Sequence, residues 1–438
     1  MENIKSRLKK ILSPKTLQRI RSVIYYPVSI FSLEYDRFLF SNQPKFHKKA
    51  LIKAKEKIKR GEKLKVAFFA LYPSVWKYDE LFQIMLSSPF YDPVIIICPV
   101  VNKGIEHMLK TMNECIEFFN KKNYPFIVSY NEKEKKYLNV KKEIHPDLIF
   151  YVNPYRGLID DRYFITQFSN VLTCYVPYAF FPVEGYWVFD QILQNLCWLI
   201  FAETRFHIEA AKKYQKRKAE NMVYTGYPGC DQLLFNEQPK NNVWKDTGKS
   251  YLKKIIWAPH HIDVQGFIDT AAVFNKIIYK YQDKIQIAFK PHPLLEVKLK
   301  DYWDEDRFEA YYQFWQNLPN GQYENGDYID LFLGSDALIH NSGSFLTEYF
   351  CTGKPCFSLH KEDDLKELSN FGSKIINLHY RISIDEIEKY IDDVILNNND
   401  YMKEERLAFI NEYIMPPNNK TATENIYDTL NVLITGGN

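Results

Sequence analysis

The chain has 438 residues, of which 46% are hydrophobic and 25% charged, with a formal net charge of +3. This is the composition of a globular protein two or three domains long; it excludes a disordered or collagen-like chain, and no apolar run of 18 residues is present to span a membrane. The seven cysteines are scattered without CxxC spacing, which argues against a disulfide framework or a zinc motif and, with no recognisable signal peptide, for reduced thiols inside a cell.

The small net charge conceals an asymmetry. Residues 1–65 carry 18 Lys/Arg against 5 Asp/Glu, leaving 39 against 49 of the chain's 57 and 54 for the rest. Within this basic arm Ile4, Leu8, Ile11 and Leu12 recur at helical spacing among Lys5, Arg7, Lys9 and Lys10, and Pro14 is expected to break the segment. With Tyr25, Tyr26 and Phe31 beside it, the pattern predicts a basic amphipathic helix lying on an anionic membrane surface; a helix packed on the protein is the alternative. Nucleic acid is not an expected partner, because the basic excess is confined to this arm and no recognition motif accompanies it.

A second helix is expected over Phe46–Arg60, ended by Gly61. Leu64–Tyr72 reads as the first strand, Glu80–Met85 as a helix, and Pro93–Pro99 and His145–Val152 as further strands, with Val171–Tyr178 a short one. A second series begins near Asn221: a strand into Tyr224-Thr-Gly226, then Ile255–Ala258, Ile285–Phe289, Asp336–Ile339, Pro355–Leu359 and Ser373–Leu378. Ser383–Leu396, Tyr401–Tyr413 and Thr421–Leu433 read as the closing helices. Strands alternating with helices predict an α/β protein built on parallel sheets. The expected divisions are a basic arm over 1–63, Rossmann-like domains over 64–220 and 221–395, and terminal helices over 396–438.

Polar groups recur where strands of the second series end. His260 and His261 follow one strand, Lys290 and His292 the next, and His340-Asn341-Ser342-Gly343-Ser344 a third. Ligand crevices of parallel sheets lie at the carboxyl ends of the strands, so these groups are expected to converge on an anionic ligand. Lys290 and His292 suit phosphate oxygens, and Ser344 is expected to open a helix whose N–H groups meet others, with Gly343 permitting close approach. Gly353 and Pro355 stop that helix, and Glu348 on it is placed to accept from ribose hydroxyls, or is simply an acid favoured by the helix dipole.

The stretches VYTGYPGCD (223–231), FKPHPLL (289–295), YIDLFLGSDALIHNSGS (328–344) and TGKP (352–355), with the tail Lys420–Ile426, resemble in order and spacing the glycerophosphotransferase family of teichoic-acid synthesis. The resemblance covers about residues 220–430. It implies a fold like the GT-B glycosyltransferases, with two Rossmann-like domains facing across a cleft and the last helix returning to the first. It also implies a CDP-activated polyol as donor, bound mainly by the second domain with Gly226 in its set, and a lipid-linked or polysaccharide acceptor. The implied location is the cytoplasmic face of a bacterial plasma membrane, where the enzyme is peripheral and builds teichoic-acid-like or capsular polymer.

Carried over residue by residue, His292 matches the histidine of the family's Lys-x-His-Pro type motif, Asp336 its acid ahead of the turn, and Ser344 the second serine of the turn. His340, Asn341, Ser342 and Gly343 depart from the family's turn, and Thr173–Phe180 has no histidine where the family carries Trp-His-Gly. The general base is therefore sought among His261 and His260, with Glu184 and Asp79 as carboxylate candidates. No Asp-x-Asp motif sits at a strand end, so no metal ligand is assigned and a divalent ion is at most accessory. Two other functions fit the same residues: a GT-B glycosyltransferase using a nucleotide sugar, and a non-enzymatic membrane-surface protein retaining the fold.

Overall fold

A computed structural model describes the backbone of residues 14–436 and the side chains of residues 34–436. The expected helix around Ile4, Leu8, Ile11 and Leu12 lies outside the described residues, as do the side chains of Tyr25, Tyr26 and Phe31. Pro14 opens a helix, Pro14–Lys59, that absorbs the second helix expected over Phe46–Arg60. A proline at the first helical position loses no hydrogen bond. From Tyr35 onward this helix is tied to the protein: Tyr35 donates to the carbonyl of Thr166 at 3.3 Å, Gln43 to that of Ser169 at 3.2 Å, and Lys57 pairs with Asp147 at 2.8 Å.

The α/β class with parallel sheets is what the structure shows, in two compact units. The first holds the chain up to Leu71, Pro89–Cys174 and Ile192–Trp198; the second holds Tyr72–Ser88, Tyr175–Gln191 and everything from Leu199 on. Residues 72–88, 175–191 and 199–220, expected with the first domain, thus fall in the second unit.

In the first unit the strands are β1 (Leu64–Ala70), β2 (Tyr91–Ile97), β3 (Phe126–Val128), a hairpin of β4 (Tyr130–Asn131) and β5 (Lys136–Tyr137), β6 (Leu148–Tyr151) and β7 (Leu172–Tyr175). They lie in the order β3-β2-β1-β6-β7, the hairpin standing apart. β1 is a nearly unbroken apolar run with every residue but Lys65 buried, as a strand covered on both faces must be. Phe68 stacks on Phe150 of the neighbouring strand, ring centroids 4.6 Å apart.

The second unit begins with the parallel pair β8 (Leu199–Ala202) and β9 (Met222–Tyr224). β8 was not foreseen. Its larger sheet contains β10 (Lys253–Ala258), β11 (Ile285–Phe289), β12 (Gly321–Tyr323), β13 (Ala337–His340), β14 (Cys356–Ser358) and β15 (Tyr380–Arg381), in the order β12-β11-β10-β13-β14-β15. Trp257 anchors one face of it, stacked on Phe274 at 4.3 Å and Phe289 at 4.8 Å. Full burial of side chains this size is worth about 1.5–3 kcal/mol each.

One expected strand is a helix. Ser373–Leu378 falls within and just beyond the helix Asn370–Ile376, and the strand follows at Tyr380. Ser369 caps that helix by accepting from the N–H of Gly372 at 3.0 Å, and a Cβ on Gly372 would meet the carbonyl of Pro182 at 2.1 Å. A cap and a close backbone approach outweigh the β-prone Ile375-Ile376. The last helix, Ala422–Thr435, carries the capping box of Thr421 and Glu424, and Tyr427 bonds Ser88 at 2.9 Å. Asp231 accepts from the N–H groups of Ala422 and Thr423 at 2.8 and 2.9 Å, closing the same helix end.

Candidate active site at the sheet's switch point

Numbered within its own sheet, the strand order of the second unit is 3-2-1-4-5-6, so the chain reverses direction between β10 and β13. Such a reversal opens a crevice beyond the carboxyl ends of the two central strands, because their outgoing loops diverge. The register ends at Ala258 opposite His340, so Pro259-His260-His261 and Asn341-Ser342 leave side by side. β11 adds Lys290-Pro291-His292 from the adjoining position.

These loops bring three of the expected residues together. The imidazole centroids of His260, His261 and His292 lie 4.2–4.6 Å apart. The backbone N–H of His260 donates to Asn341 Oδ1 at 2.7 Å, and that of His292 to the carbonyl of Pro259 at 3.0 Å, so the three loops hold one another. His292 Nδ1 accepts from the N–H of Leu294 at 3.0 Å, capping the helix Pro293–Leu299. An Nδ1 that accepts has no proton, so in the neutral ring the proton is on Nε2, and His292 offers a hydrogen-bond donor to its surroundings. His261 Nδ1 is buried without a partner.

Burial lowers the basicity of all three. His260 falls to about 3, through burial first and then the neighbouring His292 and His261, and His292 to about 4, through burial and His261. His261 is lowered by burial and by Lys298. All three are neutral near pH 7, the state in which an imidazole can take up a proton.

The crevice continues into a cavity of about 730 Å³ lined by His340, Asn341, His360, Lys361, Arg381 and Ser383 among others. That is the size range of sites for nucleotide-like ligands. Arg381 pairs with Glu362 at its rim, and Lys361 with Asp263 at 2.7 Å. His360, Lys361 and Arg381 were not foreseen; the only signal in the sequence was their position just after or within apolar runs of the second series.

Other expected residues are placed differently. Lys290 is buried, and its Nζ donates to the carbonyl of Gly326 at 2.7 Å, so its ammonium is already engaged. His340 is fully buried beneath the turn, not exposed on it. The short helix Gly343–Glu348 begins at Gly343 with Ser342 at its cap position, one turn residue earlier than the expected start at Ser344. A Cβ at Gly343 would meet nothing within 4 Å, and its backbone is not left-handed. Glu348 is buried beside Tyr328, whose hydroxyl receives a hydrogen bond from Lys77 at 2.9 Å, with Tyr227 close by. Gly226 has φ +89° and a Cβ there would meet Pro416 at 2.7 Å, so this glycine is required by the turn and its packing. Asp336 accepts from the N–H of Lys254 at 2.7 Å, at the opposite end of β13 from the crevice.

The two carboxylate candidates lie outside the histidine group. Asp79 opens the helix Asp79–Ser87 and accepts from Trp76 Nε1 at 3.2 Å. Glu184 receives Lys213 and Tyr214 at 3.3 Å and borders a separate cavity of about 200 Å³ with His207. Beside it Glu203, at the end of β8, is fully enclosed and pushed up to about 8 by burial, 3.8 Å from a His207 that burial lowers to about 4. Both are therefore neutral near pH 7.

Among the described residues two groups have ligand atoms close enough to consider a metal: His260, His261 and His292, and the buried His340, Cys356 and His379. In the first, His292 turns an N–H, not a lone pair, away from its own helix, which disfavours a metal there as long as the cap is kept.

Residues 193–431 match the family described as CDP-glycerol:poly(glycerophosphate) glycerophosphotransferase. The chain belongs to that family. It is a transferase of the CDP-glycerol glycerophosphotransferase type, acting on a nucleotide-activated donor. Its fold is that of several solved structures. The wall teichoic acid polymerase TagF, in its structure with CDPG, is 13% identical with a TM-score of 0.55, covering 96% of this chain and 98% of that one. MnaA of S. aureus, in its structure with UDP, is 13% identical with a TM-score of 0.56 over 86% of this chain and 99% of that one. A UDP-N-acetylglucosamine 2-epimerase is 13% identical with a TM-score of 0.51 over 84% and 95%. No curated protein sequence matches the chain.

Proposed function

We propose that this glycerophosphotransferase-family protein moves glycerophosphate from CDP-glycerol to a hydroxyl of a lipid-linked or polysaccharide acceptor, in the synthesis of a teichoic-acid-like or capsular cell-surface polymer. The observation that supports this most is the meeting of His260, His261, His292 and Asn341 at the switch point beside the 730 Å³ cavity. The cavity takes the cytidine and the histidines face the diphosphate. The acceptor oxygen attacks the phosphorus that carries glycerol, the bond from that phosphorus to the oxygen of CMP breaks, and a phosphodiester forms as CMP leaves. The Nε2–H of His292 donates to the leaving phosphate, where negative charge develops. His261, neutral and with an unpartnered Nδ1, takes the acceptor's proton. Family membership and the CDPG bound by TagF support the choice of donor.

A thermal-shift panel tests the donor. A ligand that binds only the folded state stabilises it by about 2.7 kcal/mol at a hundred times its Kd. CDP-glycerol is expected to raise the melting temperature more than CDP-ribitol or any UDP-sugar; stabilisation by a UDP-sugar alone would overturn the assignment.

The same reading places the protein peripherally on the cytoplasmic face of the plasma membrane, supported by the 18 basic residues against 5 acidic ones in residues 1–65. Deleting residues 1–31 is expected to abolish co-sedimentation with anionic vesicles while leaving nucleotide binding intact, and salt is expected to weaken the wild-type interaction. Equal sedimentation with and without the segment would refute it.

A further inference from the structure

Behind the turn that follows β13, three groups from well-separated parts of the chain meet in the protein interior. His340 ends β13, Cys356 begins β14 and His379 precedes β15. Each is at most 1% exposed. The ligand-capable atoms of all three lie within 4.8 Å of one another. His340 Nε2 and both ring nitrogens of His379 have no hydrogen-bond partner. Leaving such groups unpaired costs about 1–3 kcal/mol apiece, so three together in one interior pocket call for an occupant that pairs with them.

We propose that His340, Cys356 and His379 form a buried site for a zinc-class divalent ion, bound by two imidazole nitrogens and one thiolate. The donor set suits that chemistry: nitrogen and a soft sulfur are the ligands of structural zinc, whereas magnesium and calcium take oxygen. His340 Nδ1 lies 3.1 Å from both the carbonyl and the backbone N–H of Ser342. Metal binding selects the tautomer whose Nδ1 proton is donated to that carbonyl and whose Nε2 lone pair is left for the ion, the outer-shell arrangement that metal-bound histidines adopt. The ring of His379 is stacked on Phe350, centroids 5.7 Å apart, which fixes its plane.

Bonds of about 2.0–2.3 Å in a tetrahedral site place ligand atoms about 3.4–3.7 Å apart, so small side-chain rotations close the set. Binding converts the Cys356 thiol to a metal thiolate and releases its proton to solvent. Burial raises the Cys356 thiol, opposed by Arg406 and reinforced by the Asp400 that pairs with it, so it is the bound ion's own charge that would hold the thiolate. Water completes the fourth position. The ion would pin β13, β14 and the approach to β15 together directly beneath Asn341, and so hold the floor of the cavity in shape.

The test uses the full chain produced with zinc and, separately, exchanged with cobalt. The wild type is expected to retain about one zinc per chain through dialysis against a weak chelator. Cys356→Ala and His379→Gln are expected to retain none, and His261→Ala to retain it fully. The cobalt form should show a thiolate-to-cobalt charge-transfer band that Cys356→Ala lacks. Because the variants can fail to fold, the wild type supplies an independent readout: a strong chelator should lower its melting temperature and added zinc should restore it. No retained metal and no chelator effect in the wild type would overturn the proposal, with buried water as the occupant. Loss of zinc in His261→Ala would overturn it equally, by assigning the ion to the histidine group at the crevice.

Discussion

His292→Asn is expected to fold as the wild type does and to lose about 30-fold to 900-fold in kcat/KM. Asparagine is among the best helix caps, so the bond to the N–H of Leu294 that closes Pro293–Leu299 is replaced in kind. What asparagine cannot supply is the Nε2–H at the far side of an imidazole. Removing one donor from a developing oxyanion costs about 2–4 kcal/mol, which is the stated range in rate. His292→Ala should show the same loss and, in addition, about 1 kcal/mol of stability through the missing cap. The measurements are turnover of CDP-glycerol and thermal unfolding on both variants. Wild-type turnover in the asparagine variant would mean that this histidine caps a helix and does nothing else. His261→Ala should depress turnover far more than nucleotide affinity, as removal of a base does.

Stability is expected to peak between about pH 6 and 7 and to fall steeply toward acid, because burial shifts bases and acids in opposite directions. His207 and His360 are lowered from 6.5 to about 4, and His340 and His379 well below 6.5, each by burial first. Below pH 6.5 the unfolded chain takes up these protons and the folded chain does not, so stability drops as pH falls from 6.5 toward 4. Glu203 and Asp231 are raised by burial to about 8 and about 7. The folded state binds their protons where the unfolded chain has lost them, so their contribution declines as pH rises from about 4 to 8. Between pH 6.5 and 4.5 four histidine protons oppose two carboxyl protons, so the net effect is a loss of stability. Above pH 6.5 the shallower carboxyl contribution lowers stability until Lys354, lowered by burial to about 8, begins to oppose it as pH rises further. Urea midpoints measured from pH 4.5 to 8.5 check this; a stability that is flat through pH 5 would show that water reaches these histidines in solution. A metal on His340 and His379 would steepen the acid limb, since protons then compete with the ion as well.

Local chemistry carried much of the plan. The apolar run of Leu64–Ala70 and the stops at Gly61 and Gly353 each act over a few residues, and each appears where the sequence puts it. The alternation of strands and helices was enough to predict parallel sheets, and parallel sheets were enough to send His260, His261 and His292 to one end. What failed was local preference under tertiary pressure. Ile375-Ile376 is β-prone, yet Ser369 and the contact of Gly372 with Pro182 hold it helical.

By itself the sequence determined the class of fold, the strand ends that carry the histidines and, through its motifs, the family. Only the tertiary structure decided which polar groups face the crevice and which are consumed inside. Lys290 is spent on the carbonyl of Gly326, Asp336 on the start of β10, and Gly226 on packing against Pro416. Glu203 lost its charge to burial beside His207, a fate that no residue near it in the chain announces. His340, Cys356 and His379 follow no ligand spacing, and they meet because β13 and β14 run in parallel with Leu338 opposite Cys356. Hydrogen-bond partners and burial are set by which strands become neighbours, and that is a property of the whole chain, invisible in any short stretch of it.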